Sequence, residues 1–407
     1  MSFKIQEVDG GVCAPAGFTA SGIHCGLRKN KDKKDLALIM SSVPCAAAGV
    51  FTQNLVKGAP VVVTKQHIAD GTAQAIVCNS GNANTCNDDG IRVANEMCAL
   101  VAAKSGIPEE NVIVASTGVI GQKLDIKPIA DGMDELFAGL GDNALDAEMA
   151  IMTTDTVPKL VAAEFELGGK VCRIGGIAKG VGMVCPNMAT NLIFLTTDAA
   201  ISSEMLQKAL SADVQTSFNM VSVDGDQSTN DTCCILASGL AGNAEICEKN
   251  ADYRNFCKAL NYCTVNLSKK IAKDGEGASK LIQCAVTGAK SLKAAKVVAK
   301  SVIKSSLVKA AMFGSDANWG RVLCAIGYAG VDVDPLKVDV SFRSCKGEIP
   351  VCVQGYGIEF SEEKAKEILL EDEIEILVNL NSGAYKATAF GCDLTYEYVR
   401  INGDYRS

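Results

Sequence analysis

Apolar residues recur along the chain at two spacings, one typical of strands and the other of helices. The mostly apolar stretch at 74–79 predicts a buried strand. Ile91, Ala94 and Met97 recur every three residues and so mark one face of a helix. That helix is expected to stop at Gly106. The same reasoning predicts helices at 91–105, 127–140, 203–218, 250–273 and 291–312, and strands at 111–115, 191–197 and 231–238.

Short turns join several of the predicted strands. A hairpin is expected in 160–174, with Gly168 and Gly169 at its turn, because both positions need positive φ. A second hairpin is expected in 337–353, and further strands in 373–399. Strands joined directly by turns run antiparallel, whereas parallel strands need longer crossovers. The pattern therefore predicts an α/β (α+β) chain with mixed or antiparallel sheets rather than a parallel winding.

Composition and charge exclude several classes of protein. Of the 407 residues, 48% are hydrophobic, which is enough for a sizeable core and excludes a disordered chain. The formal net charge of −8 argues against a general nucleic-acid binder, which would show a basic face. No run approaches the ~18 apolar residues of a membrane span, and the charged start MSFKIQEVDGG does not resemble a signal peptide. We therefore expect a cytoplasmic protein that binds neither membrane nor nucleic acid.

The chain contains 18 cysteines but two histidines, and no cysteine pair has the CxxC spacing of a zinc or redox site. Cys98 and Cys324 lie among apolar neighbours, where a reduced thiol acts as a small hydrophobe. Core packing in a reducing compartment is the favoured interpretation, with no metal expected. A thiol-dependent or metal-binding protein remains as an alternative of a different class.

Thr190 lies between a glycine-rich segment, KGVGMVCPNMAT at 179–190, and the predicted strand at 191–197. Neither His24 nor His67 lies near an evident nucleophile loop, so a hydroxyl nucleophile would need another base. The α-amine of a threonine that begins a chain could serve, because its reference pKa of about 7.7–8.0 leaves a useful fraction neutral. Spacing alone, however, favours an ordinary threonine at the start of a strand.

The segment at 179–190 resembles the signature of the ornithine acetyltransferase family, the bifunctional glutamate N-acetyltransferases of arginine biosynthesis. Further motifs match in the same order: APAGFTASGIHCGLR at 14–28, CNSGNANTC at 78–86, STGVIG at 116–121, SVDGDQSTNDT at 222–232, DGEGASK at 274–280 and GSDANWGR at 314–321. The resemblance implies the DmpA/ArgJ-like fold of self-cleaving N-terminal-nucleophile proteins. It implies mixed sheets packed against helices, and a smaller strand-rich C-terminal domain at about 285–407.

The resemblance also implies how the chain is processed. Members of the family cleave themselves at the bond that corresponds to Ala189–Thr190, which would give an α chain of 1–189 and a β chain of 190–407. Two copies of each would form a heterotetramer. Thr190 would be the nucleophile and, through its α-amine, its own base. The implied ping-pong reaction moves acetyl from N2-acetyl-L-ornithine to L-glutamate through acetyl-Thr190, without a cofactor. Acetyl-CoA would be a co-substrate if the enzyme is bifunctional.

By the same resemblance, Thr117 and Gly118 would form the oxyanion hole. The substrate-binding residues it implies are Thr154, Lys179, Thr190, Glu276, Asn402 and Ser407. Both substrates carry a carboxylate and ornithine adds an ammonium, which suits one cationic and one anionic side chain. Cys185 and Asn191 depart from the small residue and the methionine usual in the family, which bears on the rate of self-cleavage. A self-processed aminopeptidase or amidase of the same fold, which would pass the acyl group to water, is the alternative.

Overall fold

The structure is a computed structural model that describes residues 3–185 and 191–404. The strands are β1 (Ile5–Glu7), β2 (Phe18–Ile23), β3 (Leu36–Phe51), β4 (Thr72–Asn82), β5 (Val112–Val119), β6 (Leu160–Leu167), β7 (Lys170–Lys179), β8 (Leu192–Thr197), β9 (Val221–Ser222), β10 (Thr232–Ala237), β11 (Leu281–Ala289), β12 (Asp339–Ser344), β13 (Gly347–Val353), β14 (Tyr356–Gly357), β15 (Glu373–Asn379) and β16 (Tyr385–Cys392). The helices are α1 (Ala59–His67), α2 (Gly90–Ser105), α3 (Lys127–Ala138), α4 (Ala144–Ile151), α5 (Ser203–Asp213), α6 (Ala251–Lys273), α7 (Leu292–Lys304), α8 (Ser306–Phe313), α9 (Trp319–Gly327), α10 (Glu362–Leu369) and α11 (Tyr396–Asp404).

These strands form two mixed sheets. The first sheet runs in the order β1-β6-β7-β8-β10-β3-β4-β5, with β2 also paired to β3. Most neighbours in it are antiparallel, but β8 with β10 and β4 with β5 are parallel. The second sheet runs β14-β13-β12-β15-β11-β16-β9 and contains the parallel pairs β11–β15 and β9–β16. The predicted α/β class with mixed sheets is therefore confirmed.

The first sheet is covered on both faces. Leu195 of β8 belongs to the core formed with α5 and α6, whereas its neighbour Phe194 belongs to the core beneath α4. Successive residues of a strand point to opposite faces, so a strand buried on both sides reads as one apolar run. This explains why 191–197 lacks the alternation of a half-exposed strand. The second sheet packs its own apolar core against α7, α8, α9 and α10.

The hairpin of β6 and β7 forms as expected. Gly168 has φ +53° and Gly169 has φ +78°, and Leu167 pairs with Lys170 across the turn. At the other end of β7, Lys179 pairs with Leu192, the first residue of β8. The pairing therefore brings together the two ends of the segment that contains the KGVGMVCPNMAT motif.

Two helix predictions and one strand prediction need correction. The helix expected at 203–218 ends at Asp213. The helix expected at 291–312 is two helices, because Ser305 leaves the helical conformation and its hydroxyl accepts the N–H of Val308 to start α8. The strands expected as far as 399 end at Cys392, and α11 begins at Tyr396. A short polar–apolar alternation over so few residues does not separate a strand from a helical turn. Within 3–185 and 191–404, no helix is both long and apolar enough to span a membrane.

The two cysteines chosen as examples of core residues differ in their surroundings. Cys98 is fully buried on the inner face of α2, as expected. Cys324 is exposed, because the buried face of α9 carries Val322, Ala325 and Ile326 and leaves Cys324 on the solvent side. Its apolar sequence neighbours therefore misled the prediction. No group of three or more His, Cys, Asp or Glu side chains among the described residues is arranged to hold a metal ion.

Candidate active site

A cavity that is open to solvent and encloses about 810 Å³ of space lies where β5 and β7 end and β8 begins. It is lined by six of the residues that the resemblance implies: Thr117, Gly118, Thr154, Lys179, Glu276 and Asn402. Asn191, the chain neighbour of Thr190, lines the same cavity. The remaining three implied residues, Ala189, Thr190 and Ser407, lie outside the described residues. The fold thus gathers residues from five separate segments around Asn191.

Two hydrogen bonds through its backbone hold Asn191 directly before the start of β8. Its backbone N–H donates to Oδ1 of Asp231 at 2.8 Å, and its carbonyl accepts the N–H of Thr232 at 2.9 Å. Its φ of +118° is unusual for a residue with a side chain, and such strain concentrates at functional sites. Directly after β7, a Cβ on Gly180 would come within 1.9 Å of the Asn191 side-chain oxygen. A side chain at position 180 would therefore force the Asn191 side chain to move.

The last residues of β5 carry the implied oxyanion donors, because the strand continues through Thr117 and Gly118 to Val119. Gly118 has φ +132°, and a Cβ there would come within 2.3 Å of the Gly81 backbone. The preceding Ser116 donates its hydroxyl to Oδ1 of Asn79 at 2.6 Å. Thr117 is nearly buried and faces the cavity. A hydroxyl and backbone N–H groups at the end of one strand can stabilise a developing oxyanion.

Glu276 connects two walls of the cavity. Its Oε1 accepts the hydroxyl of Thr154 at 2.7 Å, and its Oε2 accepts the side-chain amide of Asn402 at 2.8 Å. A Cβ on Gly182 would come within 2.4 Å of the same carboxylate, so the glycine-rich segment passes close to it. Lys179 lines the cavity at the end of β7. The site thus offers an anionic and a cationic side chain to a small zwitterionic ligand.

A buried ion triad joins three of the segments that line the cavity, and the sequence reasoning missed it. Nζ of Lys159 lies 2.8 Å from Oδ1 of Asp155 and 2.6 Å from Oδ2 of Asp274. Burial opposes the charge of Lys159, but the two carboxylates outweigh burial and raise its pKa. Asp155 also accepts the N–H of Gly180 at 3.0 Å. Asp274 occurs in the motif at 274–280, but 115 residues separate it from Lys159 and no spacing signals the pair.

Asp231 is a second residue whose role was not foreseen, although it lies in the motif at 222–232. Its carboxyl lies in the cavity wall and accepts the Asn191 N–H. Burial raises the pKa of Asp231 to about 8, against the opposing effects of that N–H, the Ser228 hydroxyl and the charge of Lys179. Such a shift in a cleft is typical of functional sites.

Comparison with known proteins agrees with the geometry. The family model described as "ArgJ family" matches residues 19–407. The chain belongs to the ArgJ family. It is 53% identical over 392 residues to the arginine biosynthesis bifunctional protein ArgJ 1 of Clostridium acetobutylicum, with 96% of each chain covered. The resemblance inferred from the motifs is therefore confirmed.

Two solved structures are similar over about half of the chain. The arginine biosynthesis bifunctional protein ArgJ of Bacillus halodurans is 48% identical with a TM-score of 0.50, over 52% of this chain and 98% of that chain. An ornithine acetyltransferase of Mycobacterium tuberculosis, complexed with ornithine, is 35% identical with a TM-score of 0.42, over 46% of this chain and 100% of that chain. The family match and the Clostridium acetobutylicum relative show that this ArgJ-family chain is an acyltransferase of arginine biosynthesis.

Proposed function

We propose that this protein is a glutamate N-acetyltransferase that moves acetyl from N2-acetyl-L-ornithine to L-glutamate, with L-ornithine and N-acetyl-L-glutamate as products. The observation that carries the proposal is the cavity beside Asn191. It combines Thr117 and Gly118 at the end of β5 with a cation, Lys179, and an anion, Glu276. An acyl transferase between two amino acids needs these parts: donors for an oxyanion, and opposite charges for carboxylate and ammonium groups.

The nucleophile in this proposal is Thr190, freed by cleavage of the Ala189–Thr190 bond. Its hydroxyl attacks the acetyl carbonyl of acetylornithine while its own α-amine accepts the hydroxyl proton. The tetrahedral intermediate collapses as the C–N bond breaks, and the ornithine amine leaves with that proton. Glutamate then attacks the acetyl ester of Thr190 through its neutral amine, and the ester C–O bond breaks. The α-amine of Thr190 passes the proton lost by the glutamate nitrogen to the Thr190 oxygen, which restores the hydroxyl. The acetyl group thus moves between amines without a cofactor.

Thr117 and Gly118 stabilise the oxyanion in both half-reactions. Each such donor contributes about 3–4 kcal/mol when it is aimed at the developing charge. The placement of these donors depends on Gly118, since a side chain there would collide with the Gly81 backbone.

Substrate binding is assigned to Thr154, Lys179, Thr190, Glu276, Asn402 and Ser407. Lys179 suits a substrate carboxylate, and Glu276 suits the terminal ammonium of ornithine. The contacts of Glu276 with Thr154 and Asn402 fix the direction of its carboxylate before the substrate arrives. Such preorganisation reduces the cost of ordering the site on binding.

The proposed assembly is a heterotetramer of two α chains (1–189) and two β chains (190–407), in which about 285–407 forms a C-terminal subdomain. The similar Bacillus halodurans chain supports the division, because 98% of that chain aligns with only 52% of this one. A separate chain of about half the length would give these shares. Residues 190–407 make up a little more than half of the sequence. We place the enzyme in the cytoplasm, with acetyl-CoA as a second acetyl donor if it is bifunctional.

Product analysis tests the proposal. Purified protein incubated with N2-acetyl-L-ornithine and L-glutamate should give ornithine and N-acetylglutamate in equal amounts, and Thr190→Ala should give neither. Release of acetate in place of N-acetylglutamate would instead support the amidase alternative. Addition of acetyl-CoA and glutamate alone tests bifunctionality, since a bifunctional enzyme forms N-acetylglutamate from them.

A further inference from the structure

Asn230 and Asp231 are adjacent residues in the loop before β10, and each holds a different wall of the cavity. Their loop is fixed to the end of β3, because the Thr52 N–H donates to the Asp231 carbonyl at 3.0 Å and the Thr52 hydroxyl donates to the Ser228 carbonyl at 2.7 Å. Neither residue has a role in the function proposed above.

The side chain of Asn230 is nearly buried and uses its full hydrogen-bonding capacity. Its Nδ2 donates to the carbonyls of Ser116 at 3.0 Å and Ala83 at 2.5 Å. Its Oδ1 accepts the hydroxyls of Thr85 and Thr229, each at 2.6 Å. The side chain therefore has to be an amide, because a carboxylate would place an oxygen that has no hydrogen to donate opposite the two carbonyls.

The contact with Ser116 bears on the oxyanion donors. The Ser116 carbonyl and the Thr117 N–H belong to one planar peptide group, so fixing the oxygen fixes the direction of the N–H. Asn230 thereby orients the end of β5 that carries Thr117 and Gly118.

The contact of Asp231 bears on the nucleophile in the same way. The Asn191 N–H that Asp231 accepts at 2.8 Å belongs to the peptide group that joins Asn191 to Thr190. A hydrogen bond to that N–H fixes the plane of the peptide at the carboxyl end of Thr190.

We propose that Asn230 and Asp231 are positioning residues that set the placement of Thr190 relative to the oxyanion donors. Asn230 acts through the peptide before Thr117, and Asp231 acts through the peptide after Thr190. The inference rests on the proposed function. One dipeptide thus holds both the nucleophile and the oxyanion donors, so a change in it alters the distance between them. A displacement of ~1 Å in such a geometry costs roughly 10²-fold in rate.

Asn230→Asp tests the inference, with Asn243→Asp as its matched control. Asn243 is as buried as Asn230 and donates to the carbonyls of Ala200 at 3.1 Å and Ala244 at 2.8 Å, but it does not line the cavity. Both variants should lose similar stability. Asn230→Asp should lower kcat roughly 10²-fold with KM changed by less than about threefold, whereas Asn243→Asp should keep kcat within about twofold of the parent. The cleaved fraction, from intact mass, normalises kcat.

Milder variants keep the test decisive if Asn230→Asp fails to fold. Thr85→Val removes one hydroxyl from Asn230 at nearly constant volume and should lower kcat several-fold, whereas Thr85→Ser should restore most of the loss. Asp231→Ala should lower kcat at least tenfold more than Asp231→Asn, whose side-chain oxygen still accepts the Asn191 N–H.

Two results would overturn the inference. One is an equal kcat in the Asn230 and Asn243 variants together with no difference between Thr85→Val and Thr85→Ser. The other is a raised KM at unchanged kcat, which would make Asn230 a substrate contact. If Thr190→Ala still transfers acetyl, the proposed function itself fails. If Thr190→Ala is inactive while the Asn230 and Thr85 variants behave like their controls, this inference alone fails.

Discussion

Replacement of Lys159 by methionine should be among the most destabilising single changes in the first sheet. The ammonium of Lys159 is fully buried and lies between Asp155 at 2.8 Å and Asp274 at 2.6 Å. Methionine has a similar length and fills the same space without the charge. The variant therefore leaves two buried carboxylates without their cation.

The structure gives the size of the effect. Removal of one partner from a buried ion pair costs about 3–5 kcal/mol, because the remaining charge is left uncompensated. Each aspartate keeps some hydrogen bonds, such as those from the N–H groups of Gly180 to Asp155 and of Thr156 to Asp274. We therefore expect the free energy of unfolding to fall by about 3–5 kcal/mol at pH 7.

Lys280→Met is the matched control. Lys280 is also buried, but its ammonium donates to three uncharged acceptors: the carbonyls of Met312 at 2.7 Å and Leu369 at 2.6 Å, and the hydroxyl of Ser315 at 2.8 Å. Its loss leaves unsatisfied acceptors rather than stranded charges, so we expect about 1–3 kcal/mol. Urea unfolding followed by circular dichroism measures both variants.

The pH dependence separates lost charge from lost packing. In the parent, burial opposes the charge of Asp155, but Lys159 and Lys179 outweigh burial and lower its pKa. Without Lys159, burial raises that pKa, and stability is then lost as the pH rises through it. The deficit of Lys159→Met should therefore be smaller at pH 5 than at pH 7, whereas that of Lys280→Met should not change. A deficit below about 1 kcal/mol, or one independent of pH, would refute the reasoning.

Three further predictions concern the cavity. Thr117→Ala should lower kcat about 10²–10³-fold with little change in KM; a raised KM at constant kcat would assign Thr117 to binding instead. Glu276→Gln should raise KM for acetylornithine about tenfold or more, since a neutral amide no longer attracts the ammonium; an unchanged KM would place the ammonium elsewhere. Burial raises the pKa of Asp231 to about 8, so folding favours its neutral form. As the pH rises from 4 to 8, the parent should therefore lose stability relative to Asp231→Asn, by up to about 1.4 kcal/mol per pH unit. Parallel unfolding curves over that range would contradict the shift.

Local pattern was enough to predict much of the fold. The positive φ required at Gly168 and Gly169 identified the hairpin, and apolar spacing located α2 and α6 to within a residue or two at most ends. One error arose where a single side chain redirects the chain. The hydroxyl of Ser305 ends one helix and starts the next, which apolar periodicity across 291–312 does not reveal.

The site was only partly accessible from the sequence. Family motifs pointed to Thr117, Lys179 and Glu276, which the fold brings into one cavity. The groups that hold them in place were not predicted, because the Lys159 triad and the contacts of Asn230 join residues more than 100 positions apart. Such pairings depend on the order of strands in the sheet, which local spacing does not determine.

Intact-mass spectrometry of the purified protein beside its Thr190→Ala variant tests the central claim most directly. We expect two fragments from the parent, 1–189 and 190–407, and one uncut chain from the variant. With acetylornithine alone, the fragment that begins at Thr190 should gain the mass of one acetyl group. A fully active sample that consists of a single intact chain, or transferase activity in the Thr190→Ala variant, would contradict the account.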